Sequence, residues 1–132
     1  MKRTNIIAAI TFCLYLTTVA LLCFMHSDQV PKVTGTWFGL PADKVAHLLM
    51  FVPFIPLSFF TFTKRNTPLV RSLILLVVLM TIGGATAYAT ERIQDILSYR
   101  TYDLMDILSD CIGLAIGYAF IMFWLIIKNL SK

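Results

Sequence analysis

The sequence predicts an all-α bundle of four transmembrane helices with both termini in the cytoplasm. Hydrophobic residues make up 58% of the 132 residues and charged residues only 14%, whereas a soluble domain carries about 25% charged residues. The mean hydropathy is +0.81. The apolar residues gather in four runs, each close to the roughly 20 residues that cross a bilayer core. The length favours a single domain, residues 1–132.

The four predicted spans are 6–25, 44–63, 69–90 and 104–127. A backbone in lipid has to satisfy its own polar groups, so these runs are expected to be helices. Pro53 and Pro56 predict a kink in the second span. The first run is longer than the apolar core of a signal peptide and no small-residue cleavage site follows it, so an uncleaved first span is expected.

Basic residues give the orientation, since Lys and Arg are enriched on the cytoplasmic side of membrane proteins. With the N-terminus inside, the inner side carries Lys2, Arg3, Lys64, Arg65, Arg71, Lys128 and Lys132, and the outer side carries Lys32, Lys44, Arg92 and Arg100. The net charge of +4 therefore predicts a membrane orientation and no nucleic-acid partner. The predicted location is a multi-pass position in a membrane.

The acidic residues are even more one-sided, because all of them fall at or near the predicted outer face. They are Asp28, Asp43, Glu91, Asp95, Asp103, Asp106 and Asp110. Orientation does not require this, because acidic residues contribute little to it. A polar site at the outer face is the hypothesis that accounts for it.

The fourth span supplies the deepest part of this polar face. Asp103, Asp106 and Asp110 are spaced i, i+3 and i+7, which places them on one helical face. Asp110 lies about 10 Å along the axis from Asp103. A carboxylate at that depth is expected to face the bundle interior and to have a partner.

Two other segments contribute to the polar face. Asp43 and His47 share a face at the start of the second span, where the carboxylate can fix the tautomer of the imidazole, and Lys44 lies between them. Glu91 and Gln94 share a face at the end of the third span. Arg100 is the predicted counter-charge for Asp103 and Asp106, because a guanidinium binds carboxylates in a bidentate fork.

A structural alternative assigns these carboxylates to helix capping. Asp43 and Asp103 suit N-cap positions, and Asp103 with Asp106 resembles a capping box. Capping does not explain Asp110, which lies too deep, or Glu91, which is at the unfavourable end of the helix dipole. Asp28 and Asp95 are expected to be solvated surface charges.

Small residues predict close helix packing. Gly113 and Gly117 form a GxxxG pattern in the fourth span, and Gly83 and Gly84 lie in the third. Such residues let helix backbones approach closely. Packing of these two helices within one chain is favoured over dimerisation, and the oligomeric state stays open.

The cysteines Cys13, Cys23 and Cys111 lie inside apolar runs. Their odd number and the lack of a CxxC pair favour neither a disulfide framework nor a zinc site. The sequence assigns no metal ligands and leaves any cofactor unknown.

The ordered set of polar residues resembles the VanZ-like family. The matching pieces are Asp43-Lys44-x-x-His47, Glu91-x-x-Gln94, Arg100-x-x-Asp103-x-x-Asp106 and Gly113-x-x-x-Gly117. The resemblance covers the chain from Asp43 to the C-terminus, and the four-span layout fits it. One departure is Asp110, where the family usually has Asn.

The resemblance implies a small bacterial membrane protein whose family is linked to low-level teicoplanin resistance. With the one-sided charge cluster, it supports a first hypothesis: an envelope protein whose outer polar pocket binds a lipid-linked or cell-wall group beside membrane lipids. The expected lining is Asp43, Lys44, His47, Glu91, Gln94, Arg100, Asp103, Asp106 and Asp110.

Three alternatives stay open. The cluster can belong to a small membrane enzyme that uses acid–base chemistry on a lipid-linked or phospholipid substrate, with a divalent cation held by oxygen ligands and Arg100 gripping a phosphate. It can form a proton or cation pathway, for which Asp110 is the only support. It can also be a purely structural network of salt bridges.

Overall fold

The computed structural model describes residues 3–24, 35–37, 39–97 and 102–131. These residues form five helices and one short two-stranded sheet. The elements in chain order are α1 (Arg3–Phe24), β1 (Thr36–Trp37), β2 (Leu40–Pro41), α2 (Ala42–Phe51), α3 (Phe54–Phe62), α4 (Leu69–Ile96) and α5 (Leu104–Leu130).

Within the described residues, four helical segments are long and apolar enough to cross a membrane. They are Ile6–Phe24, Ala42–Phe62, Leu69–Ile96 and Leu104–Leu130, with mean hydropathies between 1.9 and 2.4. This result confirms the predicted helical class and the number of candidate spans. Large apolar side chains such as Val70, Val77 and Phe123 are exposed on the outward faces, a pattern typical of helices that face lipid.

The second candidate span is made of two helices, because proline interrupts it. Pro53 has no N–H to continue the helical hydrogen-bond ladder, so α2 ends at Phe51 and α3 begins at Phe54. The Tyr15 hydroxyl of α1 donates to the Met50 carbonyl just before this break, at 2.6 Å. The predicted kink is confirmed, and the Tyr15 hydrogen bond holds α1 next to it.

Glycines on α5 bring it against the backbone of this second segment. A Cβ at Gly113 would overlap the Leu48 carbonyl oxygen, and one at Gly117 would lie 2.5 Å from the Val52 carbonyl oxygen. The Val52 carbonyl lacks its usual helical donor because residue 56 is proline. The predicted packing of the third and fourth spans within one chain is present, but Gly113 and Gly117 face the second span instead of the third.

A different glycine serves the contact between α4 and α5. A Cβ at Gly83 would lie 2.7 Å from a methyl group of Leu114, so Gly83 makes room for a large side chain of α5. The apolar core around this contact continues through Phe54, Phe59 and Ile121. Polar side chains lie together beyond this core, at the start of α2, the end of α4 and the start of α5.

A short hairpin leads into α2. β1 pairs antiparallel with β2, Thr36 opposite Pro41 and Trp37 opposite Leu40. Gly39 has a φ of 80°, a left-handed conformation that glycine adopts readily. The Ala42 N–H donates to the Gly35 carbonyl at 3.0 Å, so this hairpin fixes where α2 begins. The sequence predicts only a loop in this region.

Candidate functional site

Six side chains from three helices form a polar cluster at one end of the bundle. The polar cluster consists of Lys44 and His47 of α2, Glu91 of α4, Asp103 at the start of α5, and Asp106 and Asp110 of α5. Four of its members are buried, with exposed fractions of 5% for His47, 2% for Glu91, 7% for Asp106 and 1% for Asp110. The predicted convergence of these positions is present in the fold.

Asp103 is the N-cap of α5. Its Oδ1 accepts a hydrogen bond from the Met105 N–H at 2.8 Å, so this predicted cap is confirmed. In a capping box, the Asp103 N–H would bind the Asp106 side chain. It binds Glu91 Oε2 of α4 instead, at 3.2 Å. The predicted capping box is therefore wrong, and a carboxylate from another helix takes the position that Asp106 would fill.

The Asp106 carboxylate binds Lys44 of α2, and this contact replaces the capping-box contact with the Asp103 N–H. The Lys44 ammonium contacts both Asp103 and Asp106, and it lies 3.3 Å from Asp43 Oδ2. It holds the pKa of the Asp103 carboxyl below its usual range, because the ammonium hydrogen-bonds to the charged form. The counter-charge predicted from the sequence, Arg100, lies outside the described residues.

His47 lies between two carboxylates that are one turn apart on α5. Its Nδ1 is 3.1 Å from Asp110 Oδ1, and its Nε2 is 3.6 Å from Asp106 Oδ2. The ring nitrogen near Asp110 is well placed to donate its proton to that carboxylate. Asp110, the deepest acidic residue of the candidate site, thus has the buried partner that its depth requires.

Asp43 neither caps α2 nor orients the imidazole of His47, which are the two roles that the sequence predicts for it. It is exposed and pairs with Lys44, so the carboxylate partners of His47 come from α5 and not from its own helix. The N-cap of α2 is Pro41, without a side-chain cap bond. Asp43 is not the cap because α2 begins at Ala42, two residues earlier than a cap at position 43 requires. It therefore lies at the solvent edge of the cluster.

Gln94, which the sequence predicts as part of the pocket lining, lies one turn beyond Glu91 on α4 and binds α1. Its side-chain amide is buried and donates to the Cys23 carbonyl at 2.8 Å. Because the last carbonyls of a helix lack intrahelical donors, this bond satisfies one of them and holds α1 against α4. Asp95, one position further along, is exposed and lies 3.4 Å from Arg92, as expected for a surface charge.

The arrangement also contains a group of candidate metal ligands that the sequence does not single out. His47, Glu91 and Asp106 each offer one ligand atom, and these atoms lie within 4.8 Å of one another. They come from three helices and are far apart along the chain. No linear spacing rule links them, so only the packing of α2, α4 and α5 reveals the set.

The charges of the polar cluster do not balance among the described residues. Four carboxylates (Glu91, Asp103, Asp106 and Asp110) face one ammonium and one imidazole. Even with a protonated imidazole, two negative charges are in excess. Unpaired charge in a buried site is costly unless a proton or a bound cation neutralises it. Neutrality of the cluster therefore requires either protonation of its carboxylates or a bound cationic group.

Comparison of the chain with protein-family models, curated proteins and solved structures gave no match. The geometry of the polar cluster and the sequence features described above are therefore the basis for inferring a function. Fold alone does not identify a function, so the chemistry of these side chains has to carry it.

Proposed function

We propose that this chain is a VanZ-like protein of the bacterial inner membrane. Both termini lie in the cytoplasm, and the polar cluster opens to the outer face. There it binds a lipid-linked or cell-wall group as part of an envelope function that includes the response to teicoplanin.

One observation carries the proposal, namely the convergence of His47, Glu91, Asp106 and Asp110 in a buried cluster. These side chains come from three helices that are otherwise strongly apolar. Ionisable residues inside membrane spans are costly and are retained mainly where they serve function. Simple capping supplies a reason for Asp103 alone.

The composition of the polar cluster limits the ligand. Excess carboxylate attracts an ammonium group directly, and it accepts a phosphate only through a bridging cation. Lys44 adds one positive group at the rim, where its side chain is 18% exposed. The amino groups and phosphates of lipid-linked envelope intermediates and phospholipids fit this chemistry.

The test is complementation with full-length variants in a strain that lacks the gene. His47→Ala, Glu91→Gln and Asp106→Asn are expected to lose the envelope or teicoplanin phenotype, because each removes a buried group of the cluster. Asp95→Asn is the matched control, since it removes an exposed carboxylate from α4 one turn beyond Glu91. Immunoblotting of membrane fractions ensures that protein amounts are equal.

The proposal fails if the three cluster variants, present at wild-type amounts, keep the wild-type phenotype. It also fails if Asp95→Asn is as defective as they are, because the effect would then not be specific to the cluster. If the cluster is purely structural, a third result is expected, in which the variant proteins are missing from the membrane fractions on immunoblots.

A membrane enzyme is the second candidate, and the contact between His47 and Asp110 favours it. A general base needs a partner that orients its ring, and Asp110 Oδ1 lies 3.1 Å from His47 Nδ1. Incubation of the purified protein with undecaprenyl-linked and phospholipid substrates tests this candidate. Turnover that His47→Ala abolishes supports an enzyme, and its absence with folded protein leaves a binding function.

A further inference from the structure

The side chains of His47, Glu91 and Asp106 form a three-ligand set from α2, α4 and α5. We propose that this set binds one divalent cation of the first transition row, with Zn²⁺ as the representative ion. The inference deepens the proposed function by naming what the cluster holds, and it rests on that function only for its position at the outer face.

The first argument is the geometry of the set. One ligand atom from each side chain lies within 4.8 Å of the other two. Nitrogen and oxygen ligands at about 2.0–2.2 Å from a common Zn²⁺ lie about 3–4 Å apart. A small inward movement of the side chains therefore completes the coordination. Because the ligands come from three helices, an ion would join the ends of all three.

The second argument is Glu91, which is 2% exposed. Its Oε2 accepts a hydrogen bond from the Asp103 N–H at 3.2 Å. Among the described residues Glu91 forms no ion pair, although it is a buried carboxylate in a cluster that contains Lys44 and His47. A cation bound by Glu91 together with His47 and Asp106 would place a positive charge beside this buried carboxylate.

The third argument is the support of the histidine. A metal-binding imidazole almost always donates its second N–H to a carboxylate or a carbonyl, which orients the ring and raises its basicity. Asp110 Oδ1 is 3.1 Å from His47 Nδ1 and is 1% exposed. The other ring nitrogen, Nε2, lies 3.6 Å from Oδ2 of Asp106, another ligand of the set.

The ligand types select the class of metal. Imidazole with carboxylates suits Zn²⁺ and related ions, whereas Mg²⁺ and Ca²⁺ prefer oxygen ligands throughout. A dication also offsets the two excess negative charges of the polar cluster. Three protein ligands leave a fourth position open, as in Zn²⁺ sites that bind water or a substrate. A phosphate oxygen of a lipid-linked ligand fits that position.

The experiment is Zn²⁺ binding to the purified full-length protein in detergent, with any polyhistidine tag removed. Equilibrium dialysis followed by elemental analysis gives the stoichiometry and the dissociation constant. We expect one Zn²⁺ per chain and weaker binding of Mg²⁺ and Ca²⁺. A rise in the melting temperature on adding Zn²⁺ is the second expected readout, because a ligand that binds the folded state stabilises it.

Single substitutions locate the ion. His47→Ala, Glu91→Gln and Asp106→Asn each remove one ligand and are expected to abolish the stoichiometric site. Asp110→Asn keeps the three ligands and removes only the carboxylate behind the imidazole, so we expect about 10–100-fold weaker binding. Asp95→Asn is the control and is expected to bind like the wild type. Far-UV circular dichroism establishes that each variant is folded.

Folded wild-type protein that shows no saturable Zn²⁺ site overturns the inference, and the excess charge is then neutralised by protons. A site that survives all three ligand substitutions, or that Asp95→Asn removes, overturns it as well. These measurements involve no phenotype. Cluster variants can therefore lose the envelope phenotype while the wild type binds no Zn²⁺, which leaves the proposed function intact and rejects only the metal. If the wild type binds Zn²⁺ while the cluster variants keep the envelope phenotype, the proposed function is rejected and the metal site is retained.

Discussion

At the scale of the residue, Asp103 combines two tasks at the start of α5. Its side chain caps the helix through the Met105 N–H and contacts the Lys44 ammonium. Its own backbone N–H is used by Glu91. One residue thereby connects the first turn of α5 to both α2 and α4, which makes its substitution informative.

Asp103→Ala is expected to lower the free energy of unfolding by about 1 kcal/mol, the usual effect of losing an N-cap. Asp103→Asn keeps a cap acceptor and is expected to recover most of this loss. Because Lys44 lowers the pKa of Asp103 in the folded state, the charge contributes stability above the unfolded pKa and loses it as the pH falls through the lower folded value. Unfolding in mixed detergent micelles, followed by circular dichroism, measures both effects.

Asp95→Ala is the control for this prediction. Its carboxylate is exposed and 3.4 Å from Arg92, a kind of pair that contributes roughly 0–1 kcal/mol. An equal loss of stability in Asp95→Ala and Asp103→Ala would contradict the capping role. So would an Asn variant as unstable as the Ala variant.

At the scale of the element, the packing of α5 on α2 depends on small residues. Gly113 leaves room for the Leu48 carbonyl and Gly117 for the Val52 carbonyl. This close approach aligns the first turns of the two helices. It brings Lys44 and His47 of α2 within contact distance of Asp106 and Asp110 of α5. The polar cluster therefore depends on the GxxxG pattern, which follows it along α5.

Gly113→Ala is expected to destabilise the fold by about 1–3 kcal/mol, the typical effect of overpacking a filled contact. Its added methyl group meets backbone atoms that cannot rotate away. Gly84→Ala is the matched control, because nothing lies within 4 Å of a Cβ there. Alanine favours the helix by up to about 1 kcal/mol over glycine, so this variant is expected to be neutral or more stable.

The same unfolding assay decides between the two glycines. Equal stabilities for Gly113→Ala and Gly84→Ala would contradict the proposed close contact. A Gly113→Ala variant that is stable as a monomer but no longer cross-links as a dimer would assign the pattern to association between chains instead.

At the scale of the whole molecule, orientation is the property that places the polar cluster on a side of the membrane. Among the basic residues of the sequence, seven fall on the proposed inner side with no acidic residue beside them. Asn66, in the turn between α3 and α4, and Asp95, near the end of α4, are both exposed. They lie at opposite ends of α4 and so report on opposite sides.

Cysteine labelling of intact cells tests this orientation. In a variant with Cys13, Cys23 and Cys111 replaced by alanine, Asp95→Cys is expected to react with a membrane-impermeant maleimide, and Asn66→Cys only after lysis. The reverse pattern would place the polar cluster at the cytoplasmic face and reject the proposed outer site. Labelling of both positions in intact cells would show that the preparation is not sealed.

The sequence by itself determined the helical class, the four candidate spans and the proline break. These features depend on local composition, because apolar length and the missing N–H of proline act on the residues that carry them. It also indicated all six members of the polar cluster, since charged residues at the ends of apolar runs are rare. Asp103 as a cap was likewise predictable from its place before an apolar run.

Only the tertiary structure decided which of these groups are partners. His47 and Asp110 are 63 residues apart in the chain, and a histidine has no sequence signal that selects a carboxylate on another helix. The close approach of the helices pairs Lys44 with Asp106 and Glu91 with the Asp103 N–H. It also places Gly113 and Gly117 against α2. Local spacing favoured partners on the same helix, because periodicity describes one helix at a time and packing joins several.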